Sequence, residues 1–341
     1  MVLIMLKKLR RGEAPHIRSS ETSTMIMLDA IIALLPLYVM AYIYYGPRAL
    51  ILGATGLVSA LLTGYICNLL TDRRANLSDL SAAVTGLILP LIMPASVPYY
   101  VVIAAAVFAI MVVKFPFGGT GYNLFNPAAA GFAFVSVCWS GVMTAYPVSM
   151  QRLPLDVVIP DGAVAFSSSI SQTLASGFIP EIDRMDLIMG DFSGAMGVTN
   201  ILVLLTCGLY LILRKKIHWT MPLTFFLTVS AFILLFPRTG AEFTRNLTYE
   251  LCGGSVVFGG IFMLSDPVTM PKRTSSKIVY AFFAAILTML FQYYGAFDQG
   301  APFAIIIINI FAPLLDRTGE LVLQKIRRVR LERENRARAD L

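Results

Sequence analysis

From Met25 to Tyr45 the chain carries a single charged side chain, Asp29. A run of that length reads as one membrane-crossing helix, which needs about 20 mostly apolar residues. Inside hydrocarbon every backbone N–H and C=O must be satisfied within the protein, so repeated runs of this kind leave only helices or a closed barrel. Such runs recur near 25–46, 49–70, 80–97, 98–115, 128–143, 197–214, 219–237, 251–265, 278–295 and 303–315. A barrel shows alternation over roughly ten residues instead. The expected fold is therefore an all-α polytopic membrane protein with about ten transmembrane helices. With 57% apolar and 14% charged residues, the chain is far from a soluble composition, roughly a quarter charged. The segments 128–143, 251–265 and 303–315 are short for a span, and are expected to be extended, broken or partly re-entrant. No signal peptide is expected, because the first apolar run lacks a small-residue cleavage pattern.

The net charge of +7 is concentrated at the ends. Lys7, Lys8, Arg10, Arg11 and Arg18 precede the first span, and Lys325, Arg327, Arg328, Arg330, Arg333, Arg336 and Arg338 follow the last. Juxtamembrane basic residues set orientation and touch anionic membrane lipid, so nucleic-acid binding is not expected. With the N-terminus cytoplasmic, Arg73, Arg74, Lys114, Arg214, Lys215, Lys216, Lys272, Arg273 and Lys277 all fall on the cytoplasmic side. The acidic 144–196 segment falls outside. This predicts both termini inside, with a basic N-terminus over 1–24, a five-span half over 25–143 and an extracytoplasmic loop over 144–196. A second five-span half covers 197–315, and a basic cytoplasmic tail covers 316–341.

Five spans in each half make any repeat an inverted one. The third and eighth spans then correspond, and both are interrupted, by Pro90 and Pro94 in one and by Gly253, Gly254, Gly259 and Gly260 in the other. Broken segments at matching positions point to a midplane site, although small residues also serve close helix packing. Intramembrane ionisable groups are functional candidates. The ion-path candidates are Asp29 and Asp266, with Thr85, Asn126 and Asn309 as neutral oxygen ligands. Asp29 and Asp266 also suit solvated helix ends, where a carboxylate at an N-terminus interacts with the helix dipole.

No catalytic residue set stands out. Cys67, Cys138, Cys207 and Cys252 are isolated, and His16 and His218 form no pair, so no metal or cluster site is expected from this chain alone. There is no GxSxG elbow, and Gly118-Gly119-Thr120-Gly121 lacks the Lys-Ser/Thr of a phosphate loop. In the hydrophilic segment, Ser167, Ser168, Ser169 and Ser171 put four hydroxyls within five residues. They read either as a flexible linker or as an attachment site for a flavin.

Several stretches together resemble one family, RnfD, a membrane component of the Rnf ion-translocating electron-transport complex, which is related to NqrB of the Na+-pumping quinone reductase. They are Ala14-Pro15-His16-Ile17-Arg18-Ser19, Met27-Leu28-Asp29-Ala30, Leu80 through Gly86, Lys114 through Asn123 and Phe125-Asn126-Pro127-Ala128-Ala129. Gly259 through Thr269 and Asn309 through Arg317 complete the set, in the family's order and over most of the chain.

The resemblance implies a ten-helix subunit carrying FMN joined to a hydroxyl through a phosphodiester, made from FAD by a flavin transferase. It permits a second, non-covalent flavin such as riboflavin. The family motif resembles Asp-x-x-x-Ser-Gly/Ala-Ala-Thr; counting back from Leu174-Ala175-Ser176-Gly177 puts Ser169 at the acceptor position, with Ser168, Ser171 and Thr173 as alternatives. A serine supplies the same nucleophilic oxygen. Phe192-Ser193-Gly194-Ala195-Met196 superficially resembles the motif but has Met where the hydroxyl belongs. The implied function is that of a membrane subunit, inactive alone, of a ferredoxin:NAD+ oxidoreductase in a bacterial or archaeal cytoplasmic membrane. Its implied partners are the other Rnf subunits, RnfA, RnfB, RnfC, RnfE and RnfG, and Na+ or H+ is the translocated ion. The rival expectations are a flavin-free ten-helix transporter or channel, and a scaffold subunit.

Overall fold

The computed structural model describes residues 22–71, 80–119, 121–156, 164–239, 242–295 and 297–339, less the side chains at 184, 243, 322, 323 and 326–339. The motif at 14–19, the basic residues before position 22, Arg73, Arg74, Thr120, Asp161 and the side chains of the tail arginines lie outside the described residues.

Two long helices open the fold, α1 (Ser23–Tyr45) and α2 (Pro47–Leu70). Thr22 caps the first through Oγ1, and Gly46, with a φ of +77°, turns the chain so that Pro47 starts the second. Pro at the first helical position loses no bond, because that N–H has no intrahelical partner. Helix α3 (Ser81–Leu91) has 11 residues, about 16 Å at 1.5 Å per residue, and ends one residue after Pro90. It lies directly on α2: a Cβ at Gly56 would come within 2.3 Å of the Gly86 carbonyl oxygen. That is the close backbone approach small residues permit in membranes. Helix α4 (Tyr99–Val107) returns and continues as a π-helix over Phe108–Lys114, and α5 (Pro127–Cys138) follows.

The 144–196 segment is structured where it is described. After α6 (Ser140–Met143), a two-residue antiparallel hairpin pairs β1 (Tyr146–Pro147) with β2 (Phe166–Ser167). Helices α7 (Ile170–Ala175) and α8 (Arg184–Met189) follow. The stretch set aside as a false match, 192–196, leads into a seal for the end of α3: Met196 and Gly197 donate their N–H groups to the carbonyls of Met93 and Leu91, at 3.1 and 2.7 Å.

Helices α9 (Ile201–Leu213) and α10 (Thr220–Leu235) re-enter the bundle. The segment expected as a span near 251–265 is not one helix. Helix α11 (Phe243–Cys252) ends, Gly253-Gly254-Ser255 interrupts, and α12 (Val256–Phe258) runs into a π-helix over Gly259–Met263. Helix α13 (Thr274–Tyr294) and helix α14 (Gly300–Ala339) complete the chain. The boundary expected between 315 and 316 therefore falls inside a continuous helix, because no Gly or Pro follows Pro313 closely enough to stop it except Gly319, which sits against Ser276.

Among the described residues four helices, α1, α2, α13 and the first part of α14 to Leu321, are long and apolar enough to cross a membrane, and five shorter apolar helices accompany them. The chain is a multi-pass helical membrane protein. Large apolar side chains such as Leu62, Ile66, Leu209 and Leu227 are exposed along these helices, as lipid-facing positions require.

Candidate functional site

Helix ends bring three of the five ion-path candidates together, Thr85 in the first turns of α3, Asn126 at the start of α5 and Asp266 just past the π-helix. Thr85, Asn126 and Asp266 line one cavity of about 90 Å³, together with Ser81 and Lys216. Asn126 is the hinge of this arrangement. Its Oδ1 accepts from the N–H groups of Ala128 and Ala129, capping α5, while its Nδ2 donates to the Met263 carbonyl at 2.9 Å. The start of α5 is thereby fastened to the end of the π-helix. Thr85 donates back to the Ser81 carbonyl at 3.0 Å, and Lys114 donates to the Ser81 hydroxyl. The Asp266 carboxylate accepts from Val268 N and Thr269 Oγ1, at 3.2 and 3.3 Å, so it also shapes its own turn.

Asn309 lies next door. It lines a cleft of about 450 Å³ with Thr269, Lys272, Asp316 and Arg317, and Asn123 lines both this cleft and the inner cavity. Tyr280 donates to Asn309 Oδ1, while Asn309 Nδ2 and Asn123 Oδ1 have no hydrogen-bond partner among the described residues. The cleft and the cavity that holds Asp266 thus share Asn123 and Val268 as wall residues.

Asp29 does not join this group. It is 2% exposed, so it is not a solvated helix-end carboxylate, and it is not among the residues that line the Asp266 cavity. Its oxygens accept from Tyr210 OH at 3.0 Å and Arg214 at 3.2 Å, and Lys216 Nζ lies at 3.4 Å. A carboxylate held by two cations is already neutralised, which suits a strut between α1 and the end of α9.

At the opposite end of the bundle the serine segment is folded into a polar network. Ser169 is the N-cap of α7 in a complete capping box: its Oγ accepts from Gln172 N at 3.1 Å, and Gln172 Oε1 accepts from Ser169 N at 3.0 Å. Gln172 Nε2 donates to Asp298 Oδ2 at 2.7 Å, and Ser169 and Tyr146 also hydrogen-bond that carboxylate. Asp298 sits in the turn between α13 and α14, where burial pushes its carboxyl up to about 6 against these three hydrogen bonds. Ser169 and Ser171 are buried and Thr173 is half-buried, donating to the Ser169 carbonyl. Ser168 is exposed, and its side chain makes no hydrogen bond among the described residues. A phosphodiester acceptor must be reachable by a transferase; Ser168 meets that requirement in the folded chain, and Ser169 meets it only when the first turn of α7 opens.

Sequence reasoning missed Arg48. This buried guanidinium donates to the carbonyls of Ala95 and Val97 at 2.8 and 2.9 Å and to Leu155 at 2.6 Å, and stacks over Tyr99 with 5.0 Å to the ring centroid. It occupies the carbonyls left open where α3 breaks. The signal was a lone Arg in the two-residue gap between the apolar runs 25–46 and 49–70, at the second position of α2.

Interrupted helices packed around a cavity that carries Thr85, Asn126 and Asp266 make this a multi-pass helical membrane protein with an architecture that transporters also use. The NQR2, RnfD, RnfE family model matches residues 11–322, and the chain belongs to that family. It is 32% identical over 308 residues to the D subunit of the Na(+)-translocating ferredoxin:NAD(+) oxidoreductase complex of Acetobacterium woodii, covering 90% of this chain and 92% of that one. The proton-translocating counterpart of Clostridium ljungdahlii is 30% identical over 314 residues, covering 90% and 93%. The D subunit of the ion-translocating oxidoreductase complex of Actinobacillus succinogenes is 27% identical over 334 residues, covering 89% and 94%.

Proposed function

We propose that this chain is the membrane subunit of a ferredoxin:NAD+ oxidoreductase complex that couples electron transfer to movement of Na+ or H+ across a bacterial or archaeal cytoplasmic membrane. RnfA, RnfB, RnfC, RnfE and RnfG of such a complex are its partners, and both termini lie in the cytoplasm. The observation that carries the reading is the meeting of Thr85, Asn126 and Asp266 around one cavity at the ends of three helical segments. The family membership supplies the redox context. Ten spans in a five-plus-five inverted repeat are part of the same reading, with α3 and the 256–263 segment as counterparts, each half the length of a full span.

In this reading the ion enters by the cleft, where Asp316 and Asn309 lie beside Lys272 and Arg317, and passes Asn123 to reach Asp266. Asp266 supplies the charge, and Thr85 and Asn126 supply neutral oxygens. Access on either side is governed by the population of states that open each end. Asp29 is assigned to structure and not to the path.

FMN carried on the 167–173 segment is the proposed electron relay; when bound, a flavin accepts two electrons and releases them singly. The chain's own contribution is to present an exposed hydroxyl at Ser168 beside a rigid capped helix. A second, non-covalent flavin such as riboflavin belongs to the same proposal, without a residue set of this chain assigned to it. The burial of Ser169 is the specific observation favouring the flavin-free alternative.

Co-expression with a flavin transferase, followed by in-gel flavin fluorescence and peptide mapping, tests the relay. Fluorescence lost in Ser168→Ala and kept in Ser169→Ala is the expected result. A colourless wild-type chain, beside a labelled Thr-containing relative, would establish the flavin-free conduit or scaffold instead. Ion coupling is tested by flux in liposomes holding the assembled complex, with Asp266→Asn expected to abolish it.

A further inference from the structure

A second small cavity, apolar over most of its wall, lies at the end of the bundle remote from Asp266. It holds about 10 Å³, and its wall includes Ser169, Thr199, Gly253, Gly254, Asp298 and Gln299. One water-sized species fills such a space. Two of its lining groups are buried oxygens with no partner among the described residues: Thr199 Oγ1, in a residue 1% exposed, and Gln299 Oε1, in a residue 4% exposed. Leaving a buried polar atom unpaired is costly, so two such atoms on residues that line one cavity point to an occupant.

The chemistry of the lining selects that occupant. The unpartnered amide atom is a carbonyl oxygen, since the Gln299 amide already hydrogen-bonds Tyr146. The Asp298 carboxylate has about four acceptor positions and three hydrogen-bond partners, Tyr146, Gln172 and Ser169. No Lys or Arg among the described residues forms an ion pair with it. Ionised at neutral pH, it is a partly buried charge without a counterion, which is costly unless something positive pairs with it. A water would satisfy the neutral oxygens but leave that charge in place. One carboxylate with neutral oxygens suits a singly charged hard ion, whereas divalent sites gather more carboxylates.

Glycine fixes the wall. Gly254 has a φ of +64°, and a Cβ there would lie 2.7 Å from the Asp298 carbonyl oxygen and 3.3 Å from Ser171 Oγ. The interrupted helix thus brings its bare backbone against the 297–299 turn, as a site formed where a helix unwinds requires.

We infer that Asp298, Gln299 and Thr199 form a binding site for one dehydrated monovalent cation, Na+, on the far side of the bundle from Asp266. The inference rests on the proposed ion-translocating function and deepens it, adding a station near the second face of the membrane.

Thermal unfolding of the purified full chain in nanodiscs at pH 8, with Na+ exchanged against choline at constant chloride, tests the site. NaCl at 100 mM is expected to raise Tm by about 2–4 °C over choline chloride, with a smaller rise in KCl. Asp298→Asn and Thr199→Val should each remove that increment, and Asp266→Asn should keep it. Thr199→Val deletes an oxygen that has no partner, so it should fold at least as well as wild type in choline. A wild-type chain indifferent to Na+, or an increment that survives Thr199→Val, overturns the site. The function is read separately: coupled flux in the assembled complex without a Na+ increment removes only this station. An increment without coupled flux removes the functional reading and leaves a structural cation site.

Discussion

Asn126 donates from Nδ2 to the Met263 carbonyl at 2.9 Å, joining the first turn of α5 to the last residue of the π-helix. The same side chain caps α5 through its other atom, so the two duties can be separated. Asn126→Asp keeps the cap and loses the donor, whereas Asn126→Ala loses both. Loss of an N-cap costs about 1 kcal/mol, and stranding a buried carbonyl adds about 1–3 kcal/mol. Thermal unfolding of the full chain should rank wild type above Asn126→Asp and Asn126→Ala. Equal stability of Asn126→Asp and wild type would show that the tether contributes nothing.

Asp29 pairs with one exposed and one buried cation, Arg214 with a side chain 57% exposed and Lys216 at 5%. Exposed pairs contribute little, whereas removing one partner of a buried pair leaves the other charge uncompensated. Asp29→Asn is therefore expected to destabilise the chain severely and Arg214→Ala only slightly. The same order should appear in urea or thermal titrations, and a larger loss from Arg214→Ala would contradict the assignment of the buried partner.

Arg48→Lys removes the planar fork that reaches several carbonyls at once, which a single ammonium does not reproduce. We expect a loss of about 2 kcal/mol or more, since hydrogen bonds from charged groups contribute about 1.5–3 kcal/mol each. Hydrogen exchange localises it: amides of 92–97 should open in Arg48→Lys while those of α13 stay protected.

Asp298 gives a pH signature. Burial raises its folded-state pKa to about 6 from 3.8, so the folded state binds the proton more tightly than the unfolded one. The stabilisation from that proton is complete below about pH 4 and is lost as pH rises through about 6. In Na+-free buffer, wild-type Tm should fall relative to Asp298→Asn across this window. Parallel curves for the two proteins would remove Asp298 as the group responsible.

Gly254 and Gly177 both have positive φ, +64° and +79°, but an added Cβ meets the Asp298 carbonyl at 2.7 Å in the first and nothing within 4 Å in the second. Gly177→Ala should cost about 1 kcal/mol for the backbone alone. Gly254→Ala adds the steric displacement of the 297–299 turn, and should cost clearly more in the same unfolding assay.

Much of the fold was legible from local chemistry. Apolar run length pointed to the four long and five shorter apolar helices, and Pro90 and the Gly253-Gly254 pair marked both interruptions. Asp266, Thr85 and Asn126 stood out because polar groups inside apolar runs are scarce. Arg48, Asp298, Thr199 and Gln299 did not, since each looks like an ordinary residue near a span end. Their meaning comes from partners 47 to 107 residues away for Arg48 and 126 for Asp298. The serine run pointed to a hydroxyl cluster without showing that a capping box uses Ser169.

The sequence by itself determined that this chain lives in a membrane as broken and unbroken helices, because hydrocarbon penalises every unpaired backbone group and every charge along the way. Only the tertiary structure decided which polar groups are used up and which remain available. Asp29 is neutralised by cations from a distant helix end, while Asp266 faces a cavity. Thr199 and Gln299 are left with unpaired oxygens, an outcome set by three-dimensional partnering that no local pattern records.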